Sequence, residues 1–189
     1  MSDIWQQMLS GEVYDALDPE LIDRLNAVKV QVWEYNRIVP TDFDKKETAL
    51  RSLLGRCGVS PVVNQPFYCD YGCNIEVGDH FFANFNLTIL DEARVTIGHH
   101  VFIGPNVSLY TACHPTDPAQ RNTGVEWAQP ITIGNSVWIG GSVTILPGVT
   151  IGDGCTIGAG SVVTHDIPAG CIAVGNPCRV IKTIAQIEP

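Results

Sequence analysis

The chain has 189 residues, a length that suits one domain with at most a small appendage, and 45% of its residues are hydrophobic, which is enough for a core. Its formal net charge is −9 and it has no basic cluster, so a nucleic-acid-binding function is not expected, because such binding depends on Lys and Arg facing phosphate. No apolar run approaches the ~20 residues that cross a bilayer, and the N-terminus lacks the basic start and apolar core of a secretory signal, so we expect no membrane partner.

Residues 1–60 predict an N-terminal helical segment. Asp18 and Pro19 are the residue types of a helix N-cap and first helical position. An apolar stripe follows at spacings of three and four residues: Leu21, Leu25, Val28, Val32 and Tyr35. Pro40 ends this helix, and a second helix is predicted between residues 41 and 58. Two amphipathic helices of this size cannot bury their apolar faces alone, so we expect them to pack on the rest of the chain.

A repeat with a period of six residues begins around Ile75. Its first register holds Val77, Ala83 and Ile89. The register then slips by two residues and continues with Ile97, Ile103 and Leu109. We expect a small bulge or corner insertion near residues 91–94 to absorb the slip.

The repeat stops at His114 and resumes in phase after residues 115–130, a stretch rich in Pro, Asn, Asp and Gln that has no period. The resumed repeat is the most regular part of the chain: Ile133, Ile139, Ile145, Ile151, Ile157 and Val163. We expect residues 115–130 to form a long loop without regular structure that projects from a rigid body. Such loops are commonly functional.

A period of six is neither that of a helix nor that of a simple strand, so the repeat itself is the structural unit. It predicts a mainly β fold over residues 61–189, a parallel β-helix whose coils have three short faces and turn sharply at glycine or other small residues. A second inward row is also apolar or small: Val137, Val143, Val149, Cys155, Ser161 and Ile167. The hexads predict about four coils stacked at the ~4.8 Å ladder spacing, with residues 174–181 as a terminal edge strand or cap. The exposed faces of such a solenoid predict a homo-oligomer.

His114, at the start of the loop, is the leading candidate for chemistry. A histidine there has the acid–base range of a general base, and a loop histidine bonded to a backbone carbonyl is the equally weighted alternative. Cys113 precedes it, but neighbours in an extended strand point to opposite faces, so a Cys–His nucleophilic pair is not expected.

Metal binding is not predicted by the remaining histidines and cysteines. We interpret His80, His99, His100 and His165 as solvent-facing turn residues. The γ-class carbonic anhydrases, which bind zinc on a parallel β-helix, have a second histidine five residues after the first, and Ala119 stands at that position after His114. The seven cysteines are odd in number and irregularly spaced, which indicates no disulfide framework and fits a reducing cytoplasm.

Several polar residues near the coil corners have two readings. Asn84 is either part of a structural ladder or the lining of a cleft. Asp70, Asp91 and Glu92 are solvated turn residues unless further information gives them a role. Trp138 directly follows an inward position and suits a stacking wall at a subunit junction.

Six segments together resemble the maltose and galactoside O-acetyltransferases and the nodulation acetyltransferases. They are SGEVYD at 10–15, CDYGCN at 69–74, FFANFNLTILD at 81–91, TACHP at 111–115, PITIGNSVWIG at 130–140 and GNPCRVI at 175–181. The resemblance covers nearly the whole chain. It implies a left-handed β-helix, a homotrimer with active sites between subunits, acetyl-CoA as the donor and a sugar hydroxyl as the acceptor.

The resemblance also assigns site residues. His114 matches the catalytic histidine, a general base for direct transfer without an acyl-enzyme. Acceptor-side positions are matched by Asn84, Asp70, Asp91, Glu92 and, within one residue, Asp15. The donor groove is matched by Gly104, Trp138, Gly141, Ala159, Thr164, His165, Arg179 and Lys182. The family usually has lysine where this chain has His165, and some relatives have tyrosine where it has Phe82.

Two alternatives remain open at this point. The same fold could acetylate a different small hydroxyl acceptor, such as an antibiotic or an amino acid, although those enzymes generally lack a segment like residues 1–60. It could also serve as an assembly subunit without catalysis, which His114 and the cationic pair Arg179 and Lys182 argue against.

Overall fold

The computed structural model describes residues 3–184, and four helices lie within that range. They are α1 (Asp3–Ser10), α2 (Pro19–Asn36), α3 (Phe43–Leu53) and α4 (Pro118–Arg121). The two predicted helices are confirmed: the Asp18 side chain accepts the Glu20 N–H at the start of α2, and Asp42 accepts the Lys45 N–H at the start of α3. Helix α1 was not predicted.

Short strands make up most of the remaining chain. In order they are β1 (Tyr14–Asp15), β2 (Arg56–Cys57), β3 (Val62–Val63), β4 (Phe67–Cys69), β5 (Ile75–Val77), β6 (Phe82–Ala83), β7 (Leu87–Leu90), β8 (Val95–Ile97), β9 (Phe102–Ile103), β10 (Ser108–Tyr110), β11 (Ala112–Cys113), β12 (Val125–Ala128), β13 (Ile131–Ile133), β14 (Trp138–Ile139), β15 (Thr144–Ile145), β16 (Thr150–Ile151), β17 (Thr156–Ile157), β18 (Val162–Val163), β19 (Cys171–Val174) and β20 (Arg179–Thr183). The mainly β fold is therefore confirmed.

Three parallel sheets wind into a solenoid. Sheet I orders β2, β5, β8, β13 and β16, sheet II orders β3, β6, β9, β14, β17 and β19, and sheet III orders β4, β7, β10, β15 and β18. The ladders stack residues one coil apart, so that Val77 pairs with Ile97, and Ile97 with Ile133. The step from Val77 to Ile97 is two residues longer than three hexads. Residues 91–94, which lie between β7 and β8, contain the two extra residues, as predicted.

The solenoid has about six turns, so the prediction of about four was wrong. Sheet II alone contains six parallel strands. The missed first turn holds β2, β3 and β4, where Cys57 and Cys69 stack under Val77 and Ile89. Cysteine fills the inward position as a small hydrophobe, which concealed the aliphatic period. The last strand, β20, folds back antiparallel on β19, so the tail forms the predicted edge strand.

Both inward rows of the repeat are buried, including Ser161, whose hydroxyl donates to the Gly158 carbonyl. Helices α2 and α3 pack on this core, as expected. Tyr35 lies edge-on to Phe67 and its hydroxyl donates to the Val63 carbonyl at 2.7 Å. Among residues 3–184, none of the helices combines the length and the hydrophobicity of a membrane span.

The loop between His114 and Pro130 has regular structure, so the prediction that residues 115–130 lack it was wrong. It contains α4 and β12, and β12 pairs antiparallel with β11 on one side and with β1 on the other. Its backbone finds hydrogen-bond partners in a segment more than 100 residues earlier, and no local period reports such pairing.

Candidate active site

Four of the predicted site residues, Asp70, Asp91, Glu92 and His114, lie at one corner of the solenoid together with Thr111. We call this group the acidic corner. Asp70 follows β4, Asp91 and Glu92 follow β7, and Thr111 follows β10, all in sheet III. The Asp70 and Tyr71 backbone N–H groups donate to Asp91 Oδ1 at 3.0 and 2.9 Å. These bonds join successive coils at the corner.

Asp91 is completely buried. Its Oδ2 atom has no hydrogen-bond partner among the described residues. Burial raises the pKa of Asp91 to about 7, and the two backbone donors oppose that rise. Asp91 therefore changes protonation near neutral pH.

Glu92 is also buried, and it contacts Asp70 and Thr111. Burial, followed by a hydrogen bond to the Asp70 side chain, raises the pKa of Glu92 to about 9. Thr111 Oγ1 lies 3.3 Å from Glu92 Oε2 and also donates to the Leu90 carbonyl. At neutral pH the Glu92 carboxyl is therefore protonated and is a hydrogen-bond donor at this corner.

His114 is exposed at the edge of the acidic corner. Its Nε2 atom lies 3.5 Å from Oε2 of Glu126, and the His114 side chain is 59% exposed whereas that of Glu126 is only 12% exposed. Glu126 lies on β12, directly opposite Tyr14 on β1, and the Tyr14 hydroxyl donates to Glu126 Oε1. Sequence reasoning missed Glu126 and Tyr14, because their positions depend on strand pairing that has no periodic signal.

The Cys113 thiol is half-buried and contacts the Thr111 carbonyl. Burial, with a further contribution from the Glu126 charge, raises the pKa of this thiol. A raised pKa disfavours the thiolate, which is the nucleophilic form of cysteine. Asp15, on β1, pairs with Val125 and accepts the Leu17 N–H at 2.9 Å.

Asn84 lies at a different corner, where the chain leaves sheet II. Its backbone N–H donates to Ile103 O, and the next two coils repeat this bond from Gly104 and Gly140. A Cβ atom on Gly104 would lie 2.6 Å from the backbone nitrogen of Gly141, and one on Gly140 would lie 2.6 Å from that of Ala159. The wall above Asn84 is therefore nearly free of side chains, and we call it the smooth corner.

Sheet II presents an outward row beside the smooth corner. Trp138 is 59% exposed and pairs with Phe102 below and Thr156 above. Thr156 pairs with Ile172, which pairs with Lys182 on β20. Arg179 opens the same strand and donates to the Cys178 carbonyl. Thr164 Oγ1 and His165 Nδ1, which follow β18 in sheet III, lie 2.8 Å apart.

The structure thus brings His114 together with the acidic side chains, and it separates this group from Asn84 and the residues of the smooth corner. Within residues 3–184, no group of three or more His, Cys, Asp or Glu side chains is arranged to hold a metal ion. The acidic corner can supply acid–base chemistry, because the exposed His114 imidazole lies beside the largely buried Glu126 carboxylate.

Comparison with known proteins gives matches over nearly the whole chain. Residues 7–58 match the maltose acetyltransferase hexapeptide capping motif, and residues 130–165 match the bacterial transferase hexapeptide with six repeats. Nodulation protein L of Rhizobium meliloti is 49% identical over 175 residues, which cover 93% of this chain and 96% of that protein.

Two solved structures are similar over almost the whole chain. A maltose O-acetyltransferase from Clostridium difficile 630 superposes with a TM-score of 0.96 at 47% identity and covers 98% of this chain and 99% of its own. A galactoside acetyltransferase in complex with coenzyme A gives a TM-score of 0.93 at 41% identity and covers 98% and 93%.

The fold and the site define a hexapeptide-repeat acetyltransferase. The chain belongs to the maltose and galactoside O-acetyltransferase family, which includes the nodulation proteins of the same type, and the resemblance of the six sequence segments is confirmed.

Proposed function

We propose that this protein transfers an acetyl group from acetyl-CoA to a hydroxyl of a sugar or sugar-like acceptor, with His114 as the general base. The observation that carries the proposal is the distance of 3.5 Å between His114 Nε2 and Oε2 of the largely buried Glu126, at the edge of the acidic corner. A buried carboxylate stabilises the imidazolium that forms when the base accepts a proton.

The reaction proceeds in one transfer. His114 takes the acceptor hydroxyl proton while that oxygen attacks the thioester carbonyl, the C–S bond then breaks, and the imidazolium returns the proton to the leaving thiolate. Proton transfer of this kind contributes about 10²–10⁴-fold to the rate. The half-buried, poorly acidic Cys113 thiol supports a mechanism without an acyl-cysteine intermediate.

The acceptor side consists of Asp70, Asp91, Glu92 and Asp15, with Asn84 contributed from another corner. A carboxylate, a protonated carboxyl and an amide supply both acceptors and donors. A polyol needs such a mixture because each of its hydroxyl groups both donates and accepts. This complementarity supports a sugar-like acceptor.

The donor side follows the smooth corner. Gly104, Gly141 and Ala159 leave a strip along which an extended pantetheine arm can lie against backbone groups, flanked by Trp138. Thr164 and His165 follow β18, at the same end of sheet III as the acidic corner, so in a trimer they face the strip of the neighbouring subunit. Arg179 and Lys182 are exposed cations on β20 that suit the phosphates of CoA. The coenzyme A bound to the similar galactoside acetyltransferase supports this assignment.

A homotrimer explains why the two halves of the site are separated within one chain. Asn84 and the smooth corner follow sheet II, whereas His114 and the acidic corner follow sheet III. Packing the smooth corner of one subunit against the acidic corner of the next completes each site. The seven free cysteines support a reducing compartment, the cytoplasm.

The test is a thiol-release assay with acetyl-CoA and a panel of sugars, amino acids and hydroxylated antibiotics. We expect release with a sugar, and a loss of about 10²–10⁴-fold in His114→Ala. The matched control is His80→Ala, which removes another exposed imidazole that stacks on His100. Full activity of His114→Ala would refute the general-base role. Release only with a non-sugar acceptor would refute the substrate class.

A further inference from the structure

We propose that Tyr14 is a positioning residue, and that the N-terminal arm, residues 3–15, acts as a clasp that holds Glu126 against His114. This inference rests on the proposed function, because it assigns the arm a part in that reaction. It concerns a segment far in sequence from the loop that carries His114.

Each carboxylate oxygen of Glu126 has its own partner. Oε1 accepts a hydrogen bond from the Tyr14 hydroxyl, and Oε2 faces His114 Nε2. Rotation of the carboxylate away from His114 would break the bond to Tyr14. The two residues are directly opposite each other in the β1–β12 pair, so the backbone also fixes the distance between them.

Tyr14 is suited to this task because it is rigid and stays neutral. It is 2% exposed, and burial, followed by the hydrogen bond to Glu126, raises the pKa of Tyr14 far above its ordinary value. The hydroxyl therefore remains a donor at every pH at which the protein works.

The arm is anchored by a small core of its own, which contains Trp5, Met8, Tyr14, Leu21 and Tyr71. Trp5 lies edge-on to Tyr71 with ring centroids 5.1 Å apart, and the Arg24 guanidinium lies 4.6 Å from the centre of the Trp5 ring. The Tyr71 backbone N–H in turn donates to Asp91.

One arm therefore touches both walls of the site, because it reaches β12 through Tyr14 and the acidic corner through Tyr71. Losing the clasp would leave Glu126 on a strand that retains only its pairing with β11. The carboxylate would then no longer be fixed opposite His114.

The first test compares Tyr14→Phe with Tyr35→Phe. Both tyrosines are 2% exposed and both donate a hydroxyl hydrogen bond, but Tyr35 donates to the Val63 carbonyl in the main core. We expect Tyr14→Phe to lower kcat about tenfold with little change in the acceptor KM, because it removes a hydrogen bond to a charged group. Tyr35→Phe lowers only the Tm. Equal kcat values for Tyr14→Phe and wild type would overturn the inference.

The second test is a double-mutant cycle with Glu126→Gln. If Tyr14 acts through Glu126, Tyr14→Phe has an effect of less than about twofold in the Glu126→Gln background. A tenfold effect in both backgrounds would mean that Tyr14 acts by another route, and the positioning role would be wrong.

Amide hydrogen exchange gives a readout that does not need turnover. Tyr14→Phe should speed exchange in residues 124–128 and leave the sheets of the solenoid protected, whereas Tyr35→Phe should leave residues 124–128 unchanged. If the wild-type protein releases no CoA with any acceptor, the proposed function is refuted. Hydrogen exchange then remains as the test of the clasp. Unchanged exchange at residues 124–128 in Tyr14→Phe would refute the clasp.

Discussion

Glu126 Oε2 faces His114 Nε2 at 3.5 Å, and the carboxylate is much more buried than the ring that it faces. A buried charge is screened less by solvent and salt than an exposed one. The arrangement lets Glu126 stabilise positive charge on His114 while the ring stays open to a substrate.

Replacing Glu126 with glutamine tests this electrostatic role. The amide keeps an oxygen that can accept from Tyr14 and removes the negative charge. We expect kcat to fall about tenfold, since a half-exposed charge pair is worth about 1–2 kcal/mol after screening. Steady-state kinetics with acetyl-CoA and a saturating acceptor measure the effect. Glu76→Gln, which removes a carboxylate that pairs with Arg56 and Arg94 on the solenoid surface, is the control and should retain wild-type kcat.

Glu92 makes the stability of the protein depend on pH. Its folded-state pKa is about 9, whereas the pKa of an unfolded glutamate is about 4.3. Between these two values the folded state holds a proton that the unfolded state has lost. Stability therefore falls as pH rises from about 4 to about 9, by at most about 1.4 kcal/mol per pH unit for this group. Asp91, with a pKa of about 7, adds to the fall over the lower part of the range.

Glu92→Gln removes the larger of these two contributions, because an amide does not titrate. We expect the variant to gain thermal stability over wild type as pH rises from 6 to about 9, as measured by Tm at each pH. A parallel pH dependence of the two proteins would show that Glu92 titrates normally in the folded state. Glu76→Gln again serves as the control, because Glu76 is only half-buried and pairs with two arginines.

The repeat could be predicted because each inward position depends only on its own coil. Ile139 and Ile145 follow the period of six, and they pair with Ile157 and Val163, each three hexads further along the chain. The first turn, with Cys57 at an inward position, was missed because that position accepts any small apolar side chain, so the aliphatic period does not extend to it. The pattern of the core is local, so it can be read along the chain.

The candidate site could be predicted only in part, for the opposite reason. His114 and Glu92 lie beside interruptions of the repeat, so their positions attract attention. Glu126 and Tyr14 meet across an antiparallel pair whose strands are more than 100 residues apart, and neither strand is long enough to show alternation. Antiparallel pairing between distant segments leaves no period in the sequence.

A bulky side chain at the smooth corner tests whether the donor binds there. Ala159 is exposed, and its backbone packs closely on Gly140 of the coil below. A leucine at position 159 would fill the strip without entering the core. We expect Ala159→Leu to raise the KM for acetyl-CoA about tenfold with the Tm unchanged, because a clash of a few atoms costs about 1.4 kcal/mol of binding. Ala27→Leu, at an exposed position of α2, should leave both values unchanged. An unchanged KM for acetyl-CoA in Ala159→Leu would show that the donor does not bind at this corner.

We expect the positive charge of Lys182 to contribute to the binding of acetyl-CoA. It extends the outward row that contains Trp138 and Thr156, and it is exposed on β20. An exposed ammonium attracts phosphate through a Coulomb interaction that salt screens. We expect Lys182→Ala to raise the KM for acetyl-CoA about fivefold at ~0.02 M salt and less than twofold at ~0.5 M, with kcat retained. Lys29→Ala, which removes a cation from α2, should show neither effect. A salt-independent rise in KM for Lys182→Ala would mean that the side chain contributes packing and not charge, and the phosphate assignment would then fall to Arg179 alone.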